Sequence, residues 1–400
     1  MAAADPPLVQ IEDVQIEDVR QAVLDARAEG VVALLRDSLA QDDEVLAVLT
    51  GSSWDNVRAG QVWRLFTTAL VHVLRASATR DADAGAAAAL RALATGTPAE
   101  IYPSLRAFCL AHAAQVRALL RRPNQTNAPE RTAVLYPALC EIASREEGAP
   151  LALIEIGPSM GFNLCVDRFA YDYGPLGRYG AAGDSDAACR VPFTIDIRSS
   201  VVGRAEADAE VLRAGLARGF RVAARIGLEL TPVDVMDEAA LGWARDFVAG
   251  VDVIGGTGPV VPVDLDAAFA VRRATPIETI VGDATRTLPA ALAALPPGAI
   301  PCVIESYAVY QIPPAARELV AEALASWSAE GSPAYLVSLG RYTVRGDRLS
   351  VFRFHERRRE RRTAGYCDEN GKADGVLVWL PYSATSYGAF SGEIWPDCPF

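Results

Sequence analysis

From residue 10 to residue 122 the apolar positions recur at helical spacing, with no strand-like alternation between them. Trp63, Phe66, Leu70, Val73 and Leu74 line one helical face. Leu105, Phe108, Cys109, His112, Val116 and Leu119 line another. Gly51-Ser52-Ser53 and Thr95-Gly96-Thr97-Pro98 punctuate the helices. A polar stretch from Arg121 to Arg131 follows, then a helix over 131–147 closed by Gly148.

At Leu151 the pattern changes. Short apolar runs alternate with helical stretches. Leu151–Ile156 reads as a buried strand, and 225–230, 279–281, 302–304 and 335–339 as further strands. Helices are expected at 162–170, 237–249, 264–274, 287–294 and 314–330. This alternation predicts an α/β fold with a mostly parallel sheet. Segments 349–354 and 376–380 read as a terminal antiparallel pair turning around Asp368-Glu369-Asn370-Gly371. The expected organisation is an all-helical N-terminal cap over 1–135 and a sheet domain over 136–400. An insertion at 171–224, rich in Gly and Tyr, interrupts the sheet domain.

Composition narrows the class. The chain of 400 residues is 51% hydrophobic and 22% charged, as globular domains are. No apolar run reaches the ~20 residues of a membrane span, and residues 1–7 lack the pattern of a secretory signal. Seven scattered cysteines with no C-x-x-C read as reduced thiols of a cytoplasmic protein. Three distant histidines make a zinc site of the usual spacing unexpected, so no metal is assigned. A net charge of −12 disfavours nucleic acid as a partner. The expected partner is a small-molecule substrate, with no membrane; whether the chain forms a homodimer is left open.

The candidate chemistry begins at Glu155-Ile156-Gly157-Pro158-Ser159-Met160-Gly161-Phe162-Asn163, where an apolar strand enters a turn and then a helix. Glycine lets a ligand approach the backbone closely, and ligands of doubly wound sheets sit beyond the carboxyl ends of strands. The spacing is neither the dinucleotide fingerprint nor a phosphate-binding Walker loop. Taken alone it is equally an ordinary strand-to-helix turn. Later strand ends add carboxylates. Glu229 closes the second strand and is placed to accept from ribose hydroxyls, with Asp234 or Asp196 in that role if another segment is the second strand. Gly282-Asp283-Ala284 closes the third, and Glu305-Ser306-Tyr307 the fourth.

This ordered set resembles class I S-adenosylmethionine (SAM) dependent methyltransferases, with their E-x-G-x-G-x-G loop, acidic second-strand end and G-D-A-type third-strand end. The resemblance spans about 150 to 395. It implies a Rossmann-like sheet, mostly parallel with an antiparallel last strand, and SAM as cofactor. Glu155, Gly157, Ser159, Gly161, Asn163, Glu229, Asp283, Ala284 and Ser306 would bind the cofactor. Glu305 and Tyr307 would orient or deprotonate an acceptor. Ser159 stands where the pattern has glycine, and the first-to-second strand interval is long. The chain also resembles an uncharacterised bacterial family with an R-x-x-Q-T-N-x-x-x-R stretch, here Arg122 to Arg131. That family continues with E-[IV]-G-x-S-x-G-x-N-L-x-x-D-R-[FY]-x-Y-x-Y-G, here Glu155 to Gly174. Its pattern often carries a histidine before the fourth-strand serine and an H-P-H-G near the C-terminus. Here Glu305 takes the first place, and 382–395 holds no histidine.

Gln125, Thr126, Asn127 and Arg131, with Asp167, Arg168, Tyr171 and Tyr310, are the candidate substrate-binding residues. The plainer readings are a helix cap with a solvated loop for the first group, an ion pair for Asp167-Arg168, and a hydrogen-bonded loop for Tyr310. The expected activity is a SAM-dependent transferase, with methyl transfer to a small molecule as its reaction. Non-methylating use of SAM, ligand binding without turnover, and a nicotinamide-dependent oxidoreductase are the alternatives.

Overall fold

The computed structural model describes residues 20–21, 23, 30–50, 61–78, 84–95, 98–122, 129, 131–173, 177–181, 190–192, 196–197, 205–255, 264–308, 312, 314–329, 331–343, 346–355, 358–363 and 378–379. The chain opens with helices α1 (Gly30–Ala40), α2 (Asp43–Leu49), α3 (Gln61–Ala78), α4 (Ala84–Thr95), α5 (Pro98–Ala111) and α6 (Ala113–Leu120). Helix α7 (Arg131–Arg145) then leads into strand β1 (Leu151–Ile156). A 3-10 turn over Asn163–Arg168 precedes β2 (Ala170–Asp172), β3 (Arg178–Gly180), β4 (Arg190–Pro192), β5 (Asp196–Ile197) and α8 (Ala205–Arg218). Next come β6 (Val222–Glu229), α9 (Glu238–Gly255), α10 (Leu265–Ala274), β7 (Glu278–Val281), α11 (Ala284–Ala293) and β8 (Ile300–Ser306). The last elements are α12 (Pro314–Ser328), β9 (Ala334–Thr343), β10 (Gly346–His355), β11 (Arg358–Thr363) and β12 (Val378–Trp379).

These elements form two compact units. One comprises residues 1–126 and 238–258; the other comprises 127–237 and 259–400. The helical unit is built on Leu46, Leu49, Val62, Leu65, Leu70 and Phe108, all sealed from water. Asp42 caps α2, its side chain accepting from the Glu44 and Val45 amides, which satisfies donors that the first turn leaves open. Helix α9 belongs to this unit, although its place in the chain suggests a sheet-domain crossover. Its Trp243 and Phe247 are buried in the helical core. Its Asp246 accepts from Arg75 at 2.6 Å and meets His72 Nδ1 at 2.7 Å.

The sheet unit is α/β. Its seven strands run in the order β11-β10-β9-β8-β1-β6-β7. The pairs β7/β6, β6/β1, β1/β8 and β8/β9 are parallel, and β9/β10 and β10/β11 antiparallel. Strands β1 and β8 are buried at every position, as strands covered on both faces must be. Twelve of the fifteen residues of α7 are buried, which fits its apolar positions all round.

Four expectations change. The reversed strand is β10, the sixth of the sheet; β11 turns back to run with the parallel set. Of the segment 376–380 the described residues are Val378–Trp379, and they pair with Asp196–Ile197 in a separate two-stranded sheet, not with 349–354. The hairpin partner of β10 is the arginine-rich β11, whose alternation is masked by charge. The helix expected at 162–170 is a short 3-10 segment. The insertion at 171–224 has structure of its own, a β3-β2-β4 sheet and helix α8.

Candidate functional site

Strand order decides where a ligand would sit. From β1 the chain continues to β6 and β7 on one side, then returns to β8 and β9 on the other. The crevice beyond the carboxyl ends of β1 and β8 is therefore a topological switch point. Glu155 is paired in register with Gly227 and Ile304, and Ile156 with Leu228 and Glu305. Alternation of side chains then puts Glu155, Glu229 and Ser306 on one face and Glu305 on the other.

The loop after β1 is built from left-handed residues. Gly157, Ser159 and Gly161 have φ of 64°, 51° and 79°. Ser159 thus takes a backbone conformation that glycine adopts freely and other residues adopt at a cost. The loop is held from three sides. Glu229 Oε2 accepts the Ser159 N–H at 3.0 Å. Arg272 Nε donates to the Met160 carbonyl at 2.7 Å. Pro158 packs so close to β6 that a Cβ on Gly227 would lie 2.8 Å from its Cγ. The second oxygen of Glu229, Oε1, accepts from the Thr231 amide at 3.2 Å.

Charged groups are buried around this loop. Glu155 is 2% exposed, Glu229 8%, Glu305 1% and Arg131 6%. Asn163 donates through Nδ2 to Glu155 Oε1 at 2.7 Å. Glu155 Oε2 and Asn163 Oδ1 are buried with no hydrogen-bond partner. Burial pushes the Glu155 carboxyl up to about 8; the Asn163 bond and the Arg131 charge oppose the shift, while Glu229 and Glu305 add to it. Arg131, the first residue of α7, donates to Ser306 Oγ at 3.2 Å and lies 4.3 Å from the centre of the Tyr307 ring. Tyr307 itself has φ 60°, a second non-glycine residue in the left-handed region at this rim.

Other residues singled out in the sequence have different surroundings. Glu305 hydrogen-bonds the Ser338 hydroxyl, its cross-strand partner, and accepts from the Ala308 amide at 3.3 Å. Asp283 caps α11, both its bonds to Thr285 going to Oδ1, and Ala284 is buried behind it. Asp167 pairs with Arg225 at 2.7 Å, closer than its 3.4 Å contact with Arg168. Arg225 is level with Leu153, four residues before Glu229, so Asp167 is held by a residue in the body of β6 and not at its carboxyl end. Arg168 is exposed. Tyr171 is core: it lies between Tyr136 and Tyr173 and donates to the Val166 carbonyl. Gln125, Thr126, Asn127 and Tyr310 lie outside the described residues. Among the described residues no group of three or more His, Cys, Asp or Glu is placed to hold a metal ion. Nor is any helix among them long and apolar enough to cross a membrane.

The rim also has an apolar part that sequence patterning hides, because a Leu or Val at a strand end reads as core. Leu230 is 72% exposed, Met236 68% and Val281 65%. Leu230 follows Glu229 directly, and Val281 is paired with Glu229 in register. Leu230 and Val281 therefore leave apolar surface open to solvent beside a buried carboxylate.

A family model described as "Uncharacterized protein conserved in bacteria (DUF2332)" matches residues 20–373. The chain belongs to this family. The likeness drawn from the Q-T-N stretch and the E-x-G-x-S-x-G-x-N loop is borne out. The match takes in both units of the DUF2332 chain, the α9 insertion included. No curated protein and no solved structure matches it.

Proposed function

We propose that this DUF2332 protein is a Rossmann-like, SAM-dependent transferase that methylates a small molecule. The observation that carries the reading is the β1 loop. Its three left-handed residues reproduce the backbone that E-x-G-x-G-x-G needs, with Ser159 in the middle glycine's place, and its central amide is held by the second-strand carboxylate. Sheet order supports the same reading, since the first five core strands follow the doubly wound 3-2-1-4-5 arrangement.

The donor set fits an adenosyl ligand. A carboxylate has about four lone-pair positions, so Glu229 can hold the Ser159 and Thr231 amides and still accept from a ribose diol. Leu230 and Val281 offer apolar contact beside it for a flat base, with Asp283 at the edge. Gly157, at φ 64°, gives the loop its left-handed turn with no side chain at the crevice. Bound SAM would supply a methyl group already activated by its sulfonium. The protein's part is then alignment and exclusion of water. Arg131, Ser306 and Tyr307 lie at the switch point, where an acceptor would be oriented. Glu305, on the opposite face and engaged with Ser338, is better suited to holding the Ser306-Tyr307 turn than to taking a proton.

Calorimetry with SAM and S-adenosylhomocysteine tests the reading. One site per chain is expected. No heat and no thermal shift with either ligand at millimolar concentration would sink it. Turnover of SAM with candidate acceptors separates transfer from binding alone.

A further inference from the structure

Helix α9 is tied to α3 through one buried carboxylate that holds two partners. Asp246, 5% exposed, accepts from Arg75 Nη1 at 2.6 Å through Oδ1 and lies 2.7 Å from His72 Nδ1 through Oδ2. An ion pair that only joined the two helices would need one cation, and Arg75 supplies it. The second partner is a histidine whose ring is fixed. Asp246 draws the ring proton to Nδ1, and Trp243 stands edge-on to the imidazole with 5.5 Å between ring centres. Nε2 is then the basic nitrogen of the neutral ring, and among the described residues no hydrogen bond reaches it. The His72 side chain is 27% exposed, against 7% for Asp246, so a small solute can reach the ring. A carboxylate behind a histidine, with the far nitrogen open, is the arrangement of an oriented nucleophile.

Charge selects the electrophile. Arg75 shares the Asp246 carboxylate with His72. The Arg122 guanidinium lies 4.9 Å from the centre of the Trp243 ring, which His72 also meets. Guanidinium groups beside a nucleophilic nitrogen favour an anionic reactant, and their fork of N–H donors matches phosphoryl oxygens. We propose that His72 is a phosphoryl-acceptor site, taking a phosphoryl group on Nε2 from a donor of the phosphoramidate class. The Nε2 lone pair forms an N–P bond to the phosphorus of H₃N⁺–PO₃²⁻. The donor's own P–N bond breaks, and ammonia leaves with that electron pair. Nδ1 keeps its proton, so no proton is transferred, and Asp246 faces the positive charge that the ring acquires. Both α3 and α9 belong to the helical unit, and the site does not rest on the adenosyl-ligand reading.

The test incubates the full chain with potassium phosphoramidate at neutral pH. Phosphorylated residues are mapped by tandem mass spectrometry in alkaline solution, which preserves phosphohistidine. His112 and His355 of the same chain are the internal references. His72 should be labelled about tenfold faster than either, the low end of what an orienting carboxylate contributes to a histidine. The advantage should vanish when the chain is unfolded in urea, and the label should be lost in acid. Asp246→Asn puts an amide donor against Nδ1, which drives the ring proton to Nε2 and should erase the advantage. The wild-type comparison of the three histidines needs no variant. Absence of label at His72, labelling of all three at like rates, or an advantage that survives unfolding overturns the proposal. A folded Asp246→Asn chain labelled at His72 as fast as wild type overturns it too.

Discussion

Glu229 Oε2 and the Ser159 amide meet at 3.0 Å across 70 positions of sequence. One carboxylate therefore fixes the tip of the β1 loop and, in the proposed complex, the ribose. Hydrogen bonds to a charged group are worth about 1.5–3 kcal/mol. Glu229→Ala should weaken S-adenosylhomocysteine by about ten- to a hundredfold, since ~1.4 kcal/mol is tenfold. Asp196→Ala, in the separate two-stranded sheet, should leave affinity unchanged. Calorimetry on both variants decides it. Damage from Asp196→Ala with a silent Glu229→Ala would remove Glu229 from the site.

The core strands were legible because parallel strands buried on both faces read as near-continuous apolar runs. Leu151–Ile156 is such a run, and so is most of Ile300–Ser306. Glu229 as the second-strand end was legible from the Thr-Pro that follows it. Helix α9 was misplaced because its apolar stripe records only that it is buried, not against which unit. Segment 376–380 was mispaired because alternation predicts a strand and is silent about its neighbour. Asp167 and Tyr171 sit near the loop in sequence, yet Arg225 and Tyr136, which engage them, arrive from 58 and 35 residues away.

Ser159 carries backbone strain that glycine would relieve. An L-residue in the left-handed region costs ~1–2 kcal/mol, partly offset by the ordering of a glycine. Ser159→Gly should raise stability by up to about 1 kcal/mol in urea titrations and leave S-adenosylhomocysteine affinity intact. A loss of affinity without a change in stability would instead assign the serine hydroxyl to the ligand.

Gly227 tests the support beneath that loop. A Cβ there would sit 2.8 Å from Pro158 Cγ, so the loop or the strand must move. Gly227→Ala should destabilise by about 1–3 kcal/mol and weaken ligand binding as well. A normal melting temperature with normal affinity would mean the loop has slack at Pro158.

Glu155 gives a stability signature independent of any ligand. Burial raises its carboxyl to about 8 in the folded protein, from an ordinary value of 4.5. At pH 4 both states hold the proton and no penalty arises. Between about 4.5 and 8 the unfolded chain loses the proton while the folded one keeps it. Stability then falls by up to about 1.4 kcal/mol per pH unit from this group, and the loss levels off above pH 8. Glu155→Gln has no proton to lose in this range. In urea unfolding its stability relative to wild type should rise steadily from pH 5 to pH 8. A constant difference across that range would mean Glu155 ionises normally in the fold.

The placement of α9 predicts how the chain can be divided. Residues 127–237 and 259–400 form the sheet unit, and 238–258 goes with the N-terminal helices. A chain starting at Asn127 keeps α9 but loses its helical partners, exposing Trp243 and Phe247. Burying each such side chain is worth about 1.5–3 kcal/mol. Asp246 would also lose His72 and Arg75. That truncation should aggregate and bind a hydrophobic dye. Replacing 238–258 in it with a short Gly/Ser linker removes the uncovered face and should restore a monomeric, soluble protein by size-exclusion chromatography. Equal solubility of the two would mean that α9 does not need the helical unit to cover it. A folded, linker-bridged sheet unit that still binds S-adenosylhomocysteine would further assign the whole ligand site to residues 127–237 and 259–400.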